Sequence, residues 1–106
     1  MIVMRKYLFI IIMSFIAISS MAQEDRQYIR SGNRFYRQQN FVKAEAEYRK
    51  SLSVNGENPQ ALYNLGCALM MQQKDSMAMI QFENASKLET NKIRRARSYH
   101  NMGVVM

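Results

Sequence analysis

The hydrophobic pattern changes character near residue 22. Before it, Tyr7 to Ile18 forms a twelve-residue apolar stretch with no polar face, preceded by Arg5 and Lys6. After it, apolar positions are spaced at helical intervals and separated by short polar breaks. Asn58-Pro59 reads as a helix start, with Asn58 as N-cap and Pro59 in the first turn. The stretch 54–57 ends the preceding helix, and Gln39-Asn40 makes an earlier turn. The spacing predicts helices over 25–38, 41–54, 59–72, 75–88 and 93–106. No segment reads as a strand, so the expected class is all-α.

The helical part repeats itself. Gly32 and Gly66 lie 34 residues apart, and Gly103 follows 37 residues later. Four residues before each glycine stand Tyr28, Leu62 and Tyr99. Three residues after stand Phe35, Leu69 and Met106. Twelve after the first two come Ala44 and Ala78, and sixteen after come Tyr48 and Phe82. Ser51 and Ala85 come next, and the leucines Leu52 and Leu88 close the pattern. Glycine inside a helix costs about 1 kcal/mol relative to alanine, so its return at one register implies close helix packing.

These columns resemble the tetratricopeptide repeat (TPR), a 34-residue unit of two antiparallel helices, over residues 25–106. The resemblance implies a right-handed superhelical solenoid. Its units would be 25–58 and 59–92, with 93–106 as the first helix of an incomplete third repeat. Departures are the absence of tryptophan, Ser31 in place of the leucine before the first glycine, and about three extra residues between 90 and 95. Asp75 is placed to cap its helix. In such solenoids the first helices line a concave, ligand-facing surface. By register that face would carry Arg26, Ile29, Arg30, Asn33, Tyr36 and Arg37, then Gln60, Tyr63, Asn64, Cys67, Met70 and Met71. Arg97, His100, Asn101 and Val104 follow in the third unit. The set is basic and Tyr- and Met-lined, with no acidic residue. It suits an extended peptide with acidic or C-terminal carboxylate groups. Asn33, Asn64 and Arg97 also match three columns of the carboxylate clamp of some TPR domains, whereas Ile29 and Asn101 depart from it. The bland alternative is that the arginines merely solvate an exposed helix face.

Residues 1–22 read as a secretory signal: a basic start, an apolar centre, and Ser20 and Ala22 at the small-residue positions before Gln23. An uncleaved N-terminal anchor over 4–21 is the alternative. The protein is expected to be exported and periplasmic, or held at the inner membrane if the signal stays. Together with Tyr63–Gly66 and Tyr99–Gly103, the signal resembles small exported TPR members of bacterial aerotolerance (Bat-type) gene clusters. That implies work beside a membrane-anchored partner complex. The expected function is a protein-binding scaffold of the cell envelope; the alternative is a membrane-tethered assembly subunit.

Charge adds little to this picture. There are 15 Lys and Arg against 8 Asp and Glu, a net charge of +7. The excess is spread along the chain, with one cluster at Lys92, Arg94, Arg95 and Arg97. Specific nucleic-acid binding is not expected. One cysteine precludes an internal disulfide. Cys67 reads as a small, half-buried residue, with a reactive thiol or an intermolecular disulfide as alternatives. His100 is the lone histidine, and a Cys67–His100 pair would lack an orienting third group. Glu45 and Glu47 point to different sides of their helix. No metal-ligand spacing or phosphate loop appears, so neither a cofactor nor an enzymatic activity is expected. Six of the ten methionines fall after residue 22, mostly at packing or groove positions. The last helix would show Tyr99, Met102, Val105 and Met106 uncovered. A longer array or homo-association through that helix is the expected remedy.

Overall fold

The structure is a computed structural model. It describes residues 2–89 and 92–105, apart from the side chains of 17–21, 92–94, 98, 104 and 105. Expectations for Ser20, Lys92, Arg94, Val104 and Met106 therefore lie outside the described side chains. Five helices follow one another: α1 (Ile2–Arg37), α2 (Phe41–Val54), α3 (Pro59–Met71), α4 (Asp75–Leu88) and α5 (Lys92–Val105). No strand occurs among the described residues, so the protein is all-α as expected. Each helix packs against the next in sequence. The result is elongated, 62 × 28 × 19 Å.

The limits of α2 and α4 are those expected, and α3 and α5 differ from expectation by one residue. The first helix differs more. Instead of starting at residue 25, it begins at Ile2 and runs unbroken to Arg37. The cause is local: no proline or glycine interrupts residues 2–31. Side chains of residues 2–16 are exposed, and the first buried one is Asp25. Among the described residues, no helix is long and apolar enough to cross a membrane.

The turns within the helix pairs have the same construction. Gln39 and Gln73 adopt the left-handed conformation, with φ 59° and 61°. In the first turn Asn40 N–H donates to Phe35 O and Gln39 N–H to Tyr36 O, both at 2.9 Å. In the second, Lys74 N–H donates to Leu69 O (3.0 Å) and Gln73 N–H to Met70 O (2.9 Å). This is the Schellman arrangement, which satisfies the carbonyls that a helix end would orphan. It recurs at the same 34-residue interval as the glycines.

Asn58 caps α3 as expected, its Oδ1 accepting from the N–H groups of Gln60 and Ala61. Asn40 Oδ1 caps α2 by accepting from Lys43 N–H at 3.3 Å. Asp75 corrects the sequence reading. It occupies the first turn of α4, and the cap position belongs to Lys74, which makes no side-chain capping bond. A carboxylate there acts through the positive end of the helix instead.

The core contains Ala44, Tyr48, Leu65, Ala68, Leu69, Ala78 and Phe82. It explains the repeated glycines. The ring of Tyr48 lies against Gly32, so close that a methyl group on that glycine would overlap it. A methyl on Gly66 would sit 2.6 Å from Phe82 Cε1. In both pairs, the aromatic residue sixteen positions later occupies the space that the missing side chain leaves. Around Gly103, nothing lies within 4 Å of such a methyl. The repeat of leucines fails at one point: Ser86, not Leu88, takes the register of Leu52. Ser86 is buried, and Leu88 is 40% exposed.

Polar ties join the two helix pairs. Asp25 accepts from Ser51 Oγ and, at 2.8 Å, from Asn58 Nδ2, linking α1, α2 and the start of α3. At the other end, Gln72 Nε2 donates to Glu45 Oε1 at 2.9 Å and Lys74 Nζ lies 3.3 Å from the same oxygen. Burial pushes the Glu45 carboxyl upward, but bonds from Arg49, Gln72 and Lys74 outweigh it and hold the group below the usual carboxylate range.

The two kinds of glycine site should respond oppositely to one substitution. Gly66→Ala forces Phe82 from its seat and should lower stability by about 1–3 kcal/mol. Gly103→Ala adds a better helix former in open space and should leave stability unchanged or raise it by up to about 1 kcal/mol. Urea midpoints of the two variants check this; equal effects would contradict the ring-on-glycine packing.

Candidate functional site

One face of the molecule is built from α1, α3 and α5, and side-chain amides stitch it together. Asn33 Oδ1 accepts from Tyr48 Oη at 2.6 Å and from Asn64 Nδ2 at 3.2 Å. Asn101 Nδ2 donates to Tyr63 Oη at 3.0 Å and lies 3.9 Å from Cys67 Sγ. Asn64 and Asn101 occupy equivalent positions by register. Each reaches back to the helix before it in this layer.

Three adjoining hollows open on this face. The smallest, about 190 Å³, is lined by Asn33, Tyr36, Tyr48, Tyr63, Asn64 and Cys67. A second, about 280 Å³, shares Tyr63 and Asn64 and adds Pro59, Gln60, Ala85, Glu89 and Arg97. The third, about 450 Å³, shares Gln60 and runs along Arg26 and Ile29 to Asn55 and Asn58.

The structure divides the expected site residues into three groups. Arg26, Asn33, Tyr36, Tyr63, Asn64, Cys67 and Arg97 line the connected hollows. Arg30, Arg37 and His100 are exposed and line none of these three hollows. Met70 packs against the core from a partly buried position, and half-buried Asn101 bonds Tyr63. Ile29, placed by register on the ligand side, is 6% exposed and belongs to the core.

Sequence reasoning missed two carboxylates. Glu89 and Asp25 are buried, and they line the second and third hollows respectively. The hollows therefore have acidic residues in their floor, and the positive charge at their edges is that of the exposed Arg26 and Arg97. Asp25 was legible only as a helix start. Its role shows once Ser51 and Asn58 are brought beside it.

The smallest hollow is electrically quiet. Burial pushes the Cys67 thiol up, against a smaller opposing effect of its hydrogen bond with Tyr63. Tyr36, Tyr48 and Tyr63 are likewise raised, first by burial and then by proximity to Cys67. Thiol and phenols are thus held neutral near pH 7, which is opposite to what a nucleophilic cysteine requires. Among the described residues, no three His, Cys, Asp or Glu side chains are grouped to hold a metal ion.

Two measurements follow from this. Cys67 in the folded protein should react with a disulfide reagent at pH 8 at least tenfold more slowly than in denaturant. A rate equal to that of the unfolded chain would contradict the buried, neutral thiol. All four groups are raised in the folded state, so their contribution is complete below their unfolded values. It is lost as pH rises through the folded ones. Thermal midpoints should therefore fall steadily above about pH 9, and Cys67→Ser should blunt the first part of that fall.

No protein-family model matches this chain, and no curated protein matches it.

Proposed function

We propose that this chain is a TPR-type solenoid of the bacterial cell envelope that holds an extended, acidic segment of a partner protein along α1, α3 and α5. The observation that carries this reading is the run of three adjoining hollows, two of them bordered by the exposed arginines Arg26 and Arg97. An extended segment fits a trough shared among three helices better than a single deep pocket would. Its carboxylates would meet the arginines, which bind such groups in bidentate fashion. Its backbone would meet Gln60 and the free positions of the asparagine amides. Asn33 Oδ1 already accepts from Tyr48 and Asn64, so any clamp-like role of the pair falls to Asn33 Nδ2, Asn64 Oδ1 and the second hydrogen of Asn64 Nδ2.

The 34-residue recurrence of glycine, aromatic ring and Schellman turn supports the repeat assignment. The exposed apolar side chains among residues 2–16 support the signal reading, because they stand clear of the core. In this reading the mature protein starts at Gln23 and works beside a membrane-anchored complex, as the likeness to exported Bat-type TPR proteins implies. Binding is its whole task, with no reaction and no cofactor.

Two experiments test this. A fluorescent acidic peptide that binds the protein should lose at least tenfold in affinity with Arg26→Ala and Arg97→Ala combined, and its binding should weaken with salt. Binding that ignores both substitutions would sink the assigned face. Mass determination of the exported protein should give a chain beginning at Gln23. A chain that retains residues 2–22 would instead favour the tethered subunit.

A further inference from the structure

Arg26, Gln60 and Arg97 each stand six residues before the glycine of their helix, Gly32, Gly66 and Gly103 respectively. They therefore share one register on α1, α3 and α5. The hollows put them in order: Arg26 lines the third hollow, Arg97 lines the second, and Gln60 lines both. All three residues are exposed. Neither arginine forms an ion pair among the described residues. A row thus crosses the helices, with a charge at each end and a neutral amide at its centre.

The helix contacts set the length of that row. Asn64 bonds Asn33 and so ties α3 to α1, while Asn101 bonds Tyr63 and ties α5 to α3. Helices in such contact lie about 10 Å apart, so two steps separate the arginine positions by about 20 Å. An extended chain rises about 3.3 Å per residue and covers that span in about six residues. We infer that the row reads the spacing of acidic residues in the partner. An extended segment crosses α1, α3 and α5, with one carboxylate at Arg26 and a second about six residues away at Arg97. Its backbone is bonded midway by the amide of Gln60, which can both donate and accept. The inference rests on the acidic-segment reading above and adds direction and spacing to it. Two isolated carboxylates suit the row better than a regular polyanion does. A ligand charged at every unit would meet no cation at Gln60, and buried Asp25 and Glu89 in the same hollows would oppose it.

The test uses the full chain in a mild non-ionic detergent that shields residues 2–16. Fluorescent peptides of uncharged background, acetylated and amidated to remove terminal charge, carry two glutamates at graded separations. A peptide with one glutamate is the reference. Anisotropy at low salt should show affinity peaking near a separation of about six residues, at least tenfold tighter than the reference. Arg97→Gln should abolish the peak, so that every two-glutamate peptide binds like the reference, and Arg26→Gln should do the same. Far-UV circular dichroism checks that both variants keep their helices. Gln60→Ala should weaken the best peptide about threefold without moving the peak; unchanged affinity would remove Gln60 from the row. Affinity that depends on both arginines but not on separation overturns the inference and leaves the acidic-segment reading standing. Binding by no peptide, or binding indifferent to both arginine substitutions, overturns that reading and the inference with it. Tighter binding of an oligonucleotide of the same length also overturns both.

Discussion

An aromatic ring pressed into the place of a missing side chain fixes the geometry of both helix pairs. Tyr48 against Gly32 and Phe82 against Gly66 require the two backbones to come close enough for the ring to bridge them. The magnitudes favour this exchange. A glycine within a helix loses about 1 kcal/mol relative to alanine. Burying a large side chain fully returns about 1.5–3 kcal/mol. The ring also fixes rotation: with Tyr48 seated, its hydroxyl falls on Asn33, and Asn33 is thereby turned toward Asn64. The packing lock thus sets the position of the polar face.

From that point the polar bonds determine how one pair sits on the next. Asp25 joins three elements at one end of the α1–α3 junction, while Glu45, Gln72 and Lys74 join two at the other. Between them runs the hydrogen bond that Asn64 Nδ2 donates to Asn33 Oδ1. Three separated attachments resist both sliding and rotation of α3 along α1. The hollows between these helices are consequently features of the joint itself, and their shape follows from the same bonds that hold the pairs together.

Much of this was readable in the residues. The glycine and aromatic columns gave the pairing, and Asn58-Pro59 gave the start of α3, because those signals act over a few residues or at a constant interval. What escaped was set by contacts between distant segments. Nothing near Asp25 in sequence announces Ser51 and Asn58 as its partners. Glu89 follows the end of α4 and looks like an ordinary solvated acid until α5 returns beside it. Ile29 shares the register of ligand-facing residues, yet the approach of Val54 and Asn58 encloses it. The continuation of α1 back to Ile2 was missed for a different reason. A processing boundary is read by an enzyme from small residues, and it need not coincide with a break in the helix.

If the chain is cut after Ala22, as the proposed signal reading has it, that continuity bears on the cut. In the intact helix, residues 23–26 donate their N–H groups to the carbonyls of residues 19–22. A cut after Ala22 removes those acceptors and creates a new positive helix end. Gln23 would then begin the chain, followed by Glu24 and Asp25, and negative charge in a first turn is worth about 0.3–1 kcal/mol. Asp25 is moreover immobilised by Ser51 and Asn58 before any cut takes place. The severed end would therefore have little freedom to unravel. The helix would be shortened to its packed length, with its new terminus already anchored.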